Sequence, residues 1–423
     1  MKTSSILSSL SMAFALILSI QVQAQKPTTD KLPAGITEQQ VRAHKIDAVD
    51  LRDIKTENDR PEVAFKFKAG FLPQPKNGAK ALNSSAFASQ FHAAIKDEVT
   101  GYAMQLRKNG APNQTLIWNW AKTPANGSKG WNLDTRMHVA SVSKMITGIA
   151  MYKLLLTKGI SLDAKIINYL PAYWAKGSNI GMISFRNLLN HTSGIEVPGS
   201  ATNFATMKGE IAAGVNAGDV GDGQYENTNF GLCRILIPII NGDISKNANF
   251  GVNNDLVWDV CTISAYRNYV QAKVFTPAGV NNAGFAPPNT NAAFAYHFPH
   301  ANLGGWNSGD LSTLAGGVGW RLSVKEVLDV MNHVRRKNTI LTVAQAQYLL
   351  DNKLGLDRAI NTPAGKMYDK NGSWASGGGS AEKCVATFLP DGYEIVVFVN
   401  SPIGLDDASI REIVKEIYLA NLQ

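Results

Sequence analysis

Strand-like residue patterns lie at both ends of the chain, and this distribution constrains the fold more than any other feature of the sequence. Near the start, two runs at 101–108 and 114–121 are joined across Asn109-Gly110, a dipeptide typical of a tight hairpin turn. Near the end, β-branched and aromatic runs at 383–389 and 394–400 flank Pro-Asp-Gly. The economical architecture is therefore one antiparallel sheet built from both ends.

The long region between these strands is predicted to be mainly helical. Helical patterns occupy 85–99, 141–158 and 407–422, and Gly159 suits the end of the second helix. From there to about residue 350 the chain alternates helical segments with loops rich in Gly and Asn. We therefore predict an α+β fold, an α/β sandwich in which helices flank the antiparallel sheet. A mainly helical lobe at about 150–350 is inserted, and a cleft lies where the lobe meets the sheet.

The N-terminus has the pattern of an export signal. A positive start is followed by an apolar stretch at 11–20 and by Val22-Gln23-Ala24, which suits signal peptidase. The apolar stretch is too short to span a bilayer. We predict a signal peptide at 1–24, a periplasmic or secreted mature protein without a transmembrane anchor, a polar leader at 25–80 and one folded domain at 81–423.

The charge pattern argues against nucleic acid as a partner. The net charge is +8, but the basic residues are scattered and form no run of the kind that follows a phosphate backbone. This charge supports at most weak attraction of anionic substrates or an association with the cell envelope. A small molecule or a cell-envelope polymer is therefore a better expectation for the partner than nucleic acid.

Three cysteines, Cys233, Cys261 and Cys384, allow at most one disulfide within the chain. Cys233 and Cys261 flank one insert and are the pair we favour for an oxidising compartment. Three separate buried thiols are equally consistent with the sequence. Their spacing matches no metal site.

The segment 138–144, HVASVSK, contains Ser-x-x-Lys at a predicted helix start. Residues three apart on a helix are neighbours, so Lys144 can lie beside the hydroxyl of Ser141. A buried lysine can lose its proton and then accept the proton of the serine. The alternative is a capping serine with a solvated lysine. A second match, Ser380 to Lys383, enters a predicted strand and is interpreted as accidental.

Further segments follow in a recognisable order. They are 188–195 (LLNHTSGI), 225–231 (YENTNFG), 314–319 (LAGGVG) and a final strand that ends at 399–401. Together with the Ser141 segment they resemble the serine β-lactamase family in its class C branch, with its D-Ala-D-Ala carboxypeptidase, D-aminopeptidase and esterase relatives. The resemblance covers about residues 86 to 420, and its most specific parts are the segments around Ser141 and His191.

The resemblance implies a role for each matching residue. Ser141 would attack a carbonyl and form an acyl-enzyme, while Lys144 and Tyr225 would share the proton transfers. Asn227 would orient the substrate amide and Lys144. A second Tyr-x-Asn, at 266–268, lies in a helical pattern and is assigned to packing, and the alternative for Tyr225 and Asn227 is an ordinary loop.

The family's third motif, Lys-Thr-Gly or His-x-Gly, is matched imperfectly. Lys370-Asn371-Gly372 fits by residue type, with an extra glycine-rich bulge at 377–379. Counting back from Pro390 instead selects 375–377, which lacks the cation. In the first alignment, Lys370 would grip a substrate carboxylate, and the backbone N–H of Ser373 would complete an oxyanion hole with that of Ser141. The alternative for Lys370 is a solvated lysine at a strand edge.

Other residue patterns exclude several kinds of chemistry. His191 resembles a structural turn residue of the family, and His297 and His300 have no third ligand in view, so no metal site is predicted. The sequence contains no Gly-x-Ser-x-Gly elbow, no phosphate-binding loop and no dinucleotide fingerprint. No cofactor is therefore expected.

Two functions remain open at this point. The first is a serine hydrolase that forms an acyl-enzyme with a muropeptide ending in D-alanine, a small ester or a β-lactam, so that its partner is a small molecule or a muropeptide. The second is a non-catalytic penicillin-binding or sensor-like protein on the same fold, because a fold alone does not imply activity.

Overall fold

The computed structural model describes residues 30–44, 67, 71–73, 78, 80–196, 203–300, 304–404 and 409–423. The predicted signal peptide at 1–24 lies outside these residues, as do large parts of the predicted leader at 25–80. Within the leader, a short helix α1 (Glu38–Ala43) is held by a capping box of Thr37 and Gln40.

Seven antiparallel strands form the main sheet, in the order β3-β2-β1-β9-β8-β7-β6. The strands are β1 (Gly101–Lys108), β2 (Ala111–Lys122), β3 (Lys129–Gly130), β6 (Arg358–Thr362), β7 (Gly365–Ala375), β8 (Ala381–Phe388) and β9 (Tyr393–Val399). The central pair joins the two ends of the chain, with Tyr102 opposite Val399. The predicted antiparallel sheet built from both chain ends is confirmed.

Both faces of the central strands β1, β9 and β8 are buried, because alternate residues of these strands enter different cores. In β9, Ile395, Val397 and Val399 pack against helices α2 (Ser84–Ile95) and α10 (Ile410–Ala420). Val396 and Phe398 belong to the larger core that contains helix α3 (Val142–Lys158). The protein is therefore an α/β sandwich, as predicted.

The helices of eight or more residues flank the sheet or lie between α3 and β6. They are α2 (Ser84–Ile95), α3 (Val142–Lys158), α5 (Phe204–Ala213), α6 (Asn227–Asn241), α7 (Asn254–Val270), α8 (Val324–Arg335), α9 (Val343–Asp351) and α10 (Ile410–Ala420). Helix α4 (Phe185–Leu189) has a single turn, and β4 (Met137–His138) pairs with β5 (Arg321–Leu322). The region predicted as an inserted lobe thus contains α4 to α9. Among the described residues, no helix is both long and apolar enough to cross a bilayer.

Several predicted boundaries shift by a few residues. Helix α2 ends at Ile95 rather than at 99, because the N–H of Glu98 closes a tight turn on the Ile95 carbonyl and carries Val99 into the core. Strand β2 begins at Ala111, three residues before the predicted start at 114. After a register shift in the β1–β2 pairing, Pro112 and Ala111 pair with Arg107 and Lys108. Helix α10 begins at Ile410, and 405–408 lie outside the described residues.

The three cysteines are buried thiols that form no disulfide. The predicted Cys233–Cys261 bridge is therefore wrong, and the alternative of separate thiols is confirmed. The Sγ of Cys233 faces the carbonyl of Asn229 in its own helix, at 3.4 Å. Burial raises the pKa of Cys261 to about 12, which keeps it protonated.

Two close backbone contacts fix the position of helix α3. A Cβ on Gly148, in α3, would lie 2.7 Å from the Leu354 carbonyl, and a Cβ on Gly355 would lie 2.7 Å from the Lys144 carbonyl. Helix α3 therefore touches the loop that leads into β6. At the other side of the sheet, the N–H groups of Lys80 and Ala81 both donate to the carbonyl of Gln423, at 2.9 and 3.0 Å.

Candidate active site

Ser141 is the residue at the N-terminal end of α3, and its hydroxyl is not used as a helix cap. The residues of α3 are all described, and the Ser141 side chain makes no capping hydrogen bond with any of them. The side chain is buried. The preceding Ala140 has φ 43°, a left-handed conformation that is costly for a residue with a Cβ. The hydroxyl of Ser141 is therefore available to neighbouring side chains and does not cap the backbone of α3.

Lys144 lies one turn further along α3 and is completely buried. Its Nζ is 2.9 Å from Ser141 Oγ, 2.5 Å from Asn227 Oδ1 and 2.9 Å from the Gly317 carbonyl oxygen. Burial lowers the pKa of Lys144 well below its ordinary value, and the charge of Lys370 adds to this effect. The alternative of a solvated lysine is therefore wrong.

The neutral form of Lys144 satisfies this environment. An amine has two protons to donate and one lone pair. Asn227 Oδ1 and the Gly317 carbonyl are pure acceptors and take the two protons. The lone pair then faces the hydroxyl of Ser141, which is the arrangement a general base needs.

Tyr225 completes the contacts of the serine from the opposite side. Its hydroxyl donates to Ser141 Oγ at 2.8 Å, and its ring stacks on the imidazole of His191 with 4.1 Å between centroids. Burial raises the pKa of Tyr225, although Lys370 opposes this shift. Tyr225 thus holds its proton and can pass it on.

His191 is a turn residue with φ 55°, and its Nδ1 accepts the backbone N–H of Glu226 at 3.1 Å. Burial lowers its pKa well below the ordinary value, and the charge of Lys370 acts in the same direction. The imidazole is therefore neutral and positions Tyr225 through its stacked ring. The sequence indicated the turn but not this contact.

Asn227 is the first residue of α6, so the helix that begins there carries the amide to Lys144. The other Tyr-x-Asn segment lies in α7, where the hydroxyl of Tyr266 is hydrogen-bonded to Thr147 Oγ1 at 2.7 Å inside the core. Its assignment to packing agrees with this position.

The predicted third motif lies on β7, beside the start of α3. A Cβ on Gly372 would be 2.6 Å from the Val139 carbonyl and 3.2 Å from the Val142 nitrogen, so only glycine allows this approach. The N–H of Asn371 points away from β8, because it donates to Asp357 Oδ2 at 2.9 Å. Ser373 is two residues further, so its N–H points to the same open side of the strand.

The glycine-rich segment at 377–379 is not a bulge within the strand. It forms the turn of the β7–β8 hairpin, which the N–H of Ser376 closes on the Ser380 carbonyl at 2.9 Å. The alternative motif at 375–377 therefore lies at the strand end and in the turn. The second Ser-x-x-Lys ends in β8, as expected.

Lys370 approaches the site but does not present a free charge to it. Its Nζ lies 5.0 Å from the centre of the Tyr225 ring and pairs with the carboxylate of Asp357. Burial alone would lower the pKa of Lys370, but Asp357 raises it above the ordinary value. Burial would raise the pKa of Asp357, but Lys370 and the N–H of Asn371 hold it low. Both partners are therefore ionised, and Lys370 is not a solvated edge lysine.

The Gly-Gly segment that binds Lys144 is itself held in place. Thr147 Oγ1 donates to the Gly316 carbonyl at 2.6 Å, and the N–H of Gly319 donates to His138 Nε2 at 3.1 Å. The other ring nitrogen of His138 is 3.1 Å from Glu382 Oε2. Because Nε2 accepts, the proton of the imidazole lies on Nδ1 and is donated to Glu382.

Sequence reasoning missed Asp357, His138 and Glu382. Asp357 follows a Leu-Gly-Leu loop, and nothing local in the sequence connects it with Lys370. The LAGGVG segment was recognised in the sequence, but the contact of its Gly317 carbonyl with Lys144 was not predicted. Within the described parts of the chain, no group of three His, Cys, Asp or Glu side chains could hold a metal ion.

Known proteins were compared with this chain by sequence and by fold. The sequence matches the family Beta-lactamase over residues 89–418. No curated protein matches it significantly.

Several solved structures share the fold at low sequence identity. FmtA from Staphylococcus aureus is 14% identical with a TM-score of 0.59, and the alignment covers 82% of this chain and 93% of that one. A D-stereospecific amidohydrolase from Streptomyces sp. is 19% identical with a TM-score of 0.56, covering 79% and 98%. A D-amino acid amidase from Ochrobactrum anthropi is 16% identical with a TM-score of 0.57, covering 78% and 98%.

Proposed function

This chain belongs to the beta-lactamase family, and from that premise we propose that it is a serine hydrolase with Ser141 as its nucleophile. The observation that carries the proposal is the double contact of Ser141 Oγ, with Lys144 Nζ at 2.9 Å and Tyr225 OH at 2.8 Å. A buried amine and a partly buried phenol on one hydroxyl are the groups that activate a serine and return its proton.

The proposed acylation follows from these contacts. Lys144 takes the proton of Ser141 while Oγ bonds to the substrate carbonyl carbon. The N–H groups of Ser141 and Ser373 stabilise the oxyanion. As the carbonyl re-forms, the bond to the leaving group breaks, and the leaving atom receives a proton from Tyr225, which Lys144 restores. Water then hydrolyses the acyl-enzyme by the same route in reverse.

The substrates we propose are those of an acyl-transfer enzyme: a small ester, a D-alanyl peptide of the cell-wall type, or a β-lactam. One structural neighbour is a D-stereospecific amidohydrolase, and another is a D-amino acid amidase. Their likeness supports the inclusion of D-configured amides among the candidates.

The test uses a fluorophosphonate probe and hydrolysis of 4-nitrophenyl acetate. Wild type should gain one phosphonyl group on the peptide that contains Ser141, with loss of ester hydrolysis. Ser141→Ala should gain none and hydrolyse at the background rate. Ser380→Ala, in the second Ser-x-x-Lys, is the matched control and should behave as wild type. Unchanged hydrolysis by Ser141→Ala would refute the assignment.

The alternative of a non-catalytic penicillin-binding or sensor-like protein predicts a different result. Such a protein would acylate at Ser141 and keep the acyl group, so intact mass would show a lasting adduct after excess ester is removed. Rapid return to the unmodified mass supports the hydrolase.

We further propose that 1–24 is removed on export to the periplasm or medium. N-terminal sequencing of the protein recovered outside the cytoplasm should then begin at Gln25. A start at Met1 would contradict this.

A further inference from the structure

The ammonium group of Lys370 is closed off from solvent. Its side chain is 1% exposed and lies between the carboxylate of Asp357 and the ring of Tyr225, whose centre is 5.0 Å away. A ligand can reach a cation only where the cation still has room for an acceptor. Here the position beside the nucleophile is taken by a group of the protein itself.

Asp357 is fixed in this position by more than one donor. Lys370 binds Oδ1, while Oδ2 accepts the N–H of Asn371 at 2.9 Å and lies 3.4 Å from Arg411 Nη1. The loop before Asp357 is pressed against α3 at Gly355. The carboxylate therefore cannot swing aside without breaking several contacts.

A carboxylate on the substrate would meet this anion directly. It would have to displace Asp357 from Lys370 or share the ammonium with it, and two carboxylates at one site repel each other. Removing one partner of a buried pair is costly as well. An uncharged leaving group meets neither penalty.

We propose that Asp357 is a specificity-determining residue that occupies Lys370 and directs the site to acyl donors with an uncharged leaving group. Esters and primary amides are then preferred over substrates that carry a carboxylate beside the scissile bond. The inference rests on the proposed serine hydrolase and narrows its substrate class.

The experiment compares two esters of N-benzoylglycine that differ only in charge. One has 3-hydroxybenzamide as its leaving group, and the other has 3-hydroxybenzoate. The acyl part is achiral and identical, so any change in Ser141, Lys144 or Tyr225 affects both esters and cancels in the ratio of kcat/KM values.

Wild type should prefer the amide-bearing ester by about tenfold or more, which is the scale expected for one unfavourable charge contact. Asp357→Asn keeps an acceptor for Asn371 but removes the charge, and should shift the ratio toward the carboxylate ester by about tenfold. Asp391→Asn is the control, because it removes the same charge from an exposed ion pair with Lys108 and should leave the ratio unchanged.

The double variant Asp357→Asn/Lys370→Gln provides a second test, because it removes both charges and leaves neither partner of the pair without its counter-charge. Without the anion of Asp357, the ratio should again move toward the carboxylate ester. A selective loss on the carboxylate ester, or a wild type that prefers that ester, overturns the inference and leaves the hydrolase standing. Hydrolysis of neither ester refutes the hydrolase and the inference with it.

Discussion

Lys144 shows how a single residue acquires its chemistry from its surroundings. Two acceptors, from Asn227 and Gly317, fix its position, and burial disfavours its charge. A guanidinium cannot replace it, since arginine does not release its proton in proteins.

Lys144→Arg should therefore lower kcat/KM for a neutral ester by about 10²–10⁴-fold, the usual contribution of a general base. Ester hydrolysis at saturating and limiting substrate measures this. Lys158→Arg, in the last turn of the same helix, is the control and should keep wild-type activity. A loss of less than fivefold would remove Lys144 from the role of base.

The pH dependence of activity should report the same base. Activity requires neutral Lys144, so kcat/KM should rise with pH through its pKa and level off well below the ordinary range of lysine. Lys370→Gln removes a positive charge that lowers this pKa, and it leaves Asp357 to stabilise the ammonium. The acidic limb of the pH profile should therefore move to higher pH, and a move to lower pH would contradict the assignment.

At the scale of elements, the site depends on how closely β7 approaches the start of α3. Gly372 permits this contact because a Cβ there would lie 2.6 Å from both Cys384 Sγ and the Val139 carbonyl. The strand thereby brings Gly372 to the start of α3, and the N–H of Ser373 follows on the open side of the strand.

Gly372→Ala should lower the free energy of unfolding by about 2 kcal/mol, because the added methyl overpacks this contact. It should also reduce ester hydrolysis by displacing Ser373. Urea unfolding and kinetics measure the two effects. Gly130→Ala is the matched control, since its Cβ would have only the Asn119 carbonyl within 4 Å, at 3.8 Å. Equal stability of the two variants would contradict the close contact.

Local sequence predicted some elements well and others poorly, for physical reasons. The hairpin at Asn109-Gly110 was predictable, because both residues have positive φ, which these residue types favour. Strand β7 was harder, since its charged residues do not alternate with apolar ones. Asp369 is buried there because it pairs with Arg358, and Lys370 because it pairs with Asp357. Such partners are set by tertiary structure and leave no local pattern.

At the scale of the whole molecule, the fold followed from the position of the strands, while the cysteine pairing did not. Cys233 and Cys261 lie on neighbouring helices, but a disulfide requires side chains that point at each other. Spacing in the sequence does not contain that information. The roles of the site residues were predicted from the order of the motifs. Asp357 was not predicted, because it belongs to none of those motifs.

The folded protein should hide its thiols completely. All three cysteines are at most 2% exposed, so a thiol reagent such as dithionitrobenzoate should not react with native protein. In guanidinium chloride without reductant, three thiols per chain should react. One reactive thiol after unfolding would instead indicate a disulfide.

The hydrogen bonds between residues 80–81 and Gln423 hold the segment before α2 against the segment after α10. A short linker between residues 423 and 80 would join residues 80–423 into a ring, and the ring can be reopened at the Asn109-Gly110 turn. In that circular permutant the central strand β1 becomes the last to be synthesised. The segments that carry Ser141, Tyr225 and Lys370 would then all leave the ribosome before the strand that unites the sheet.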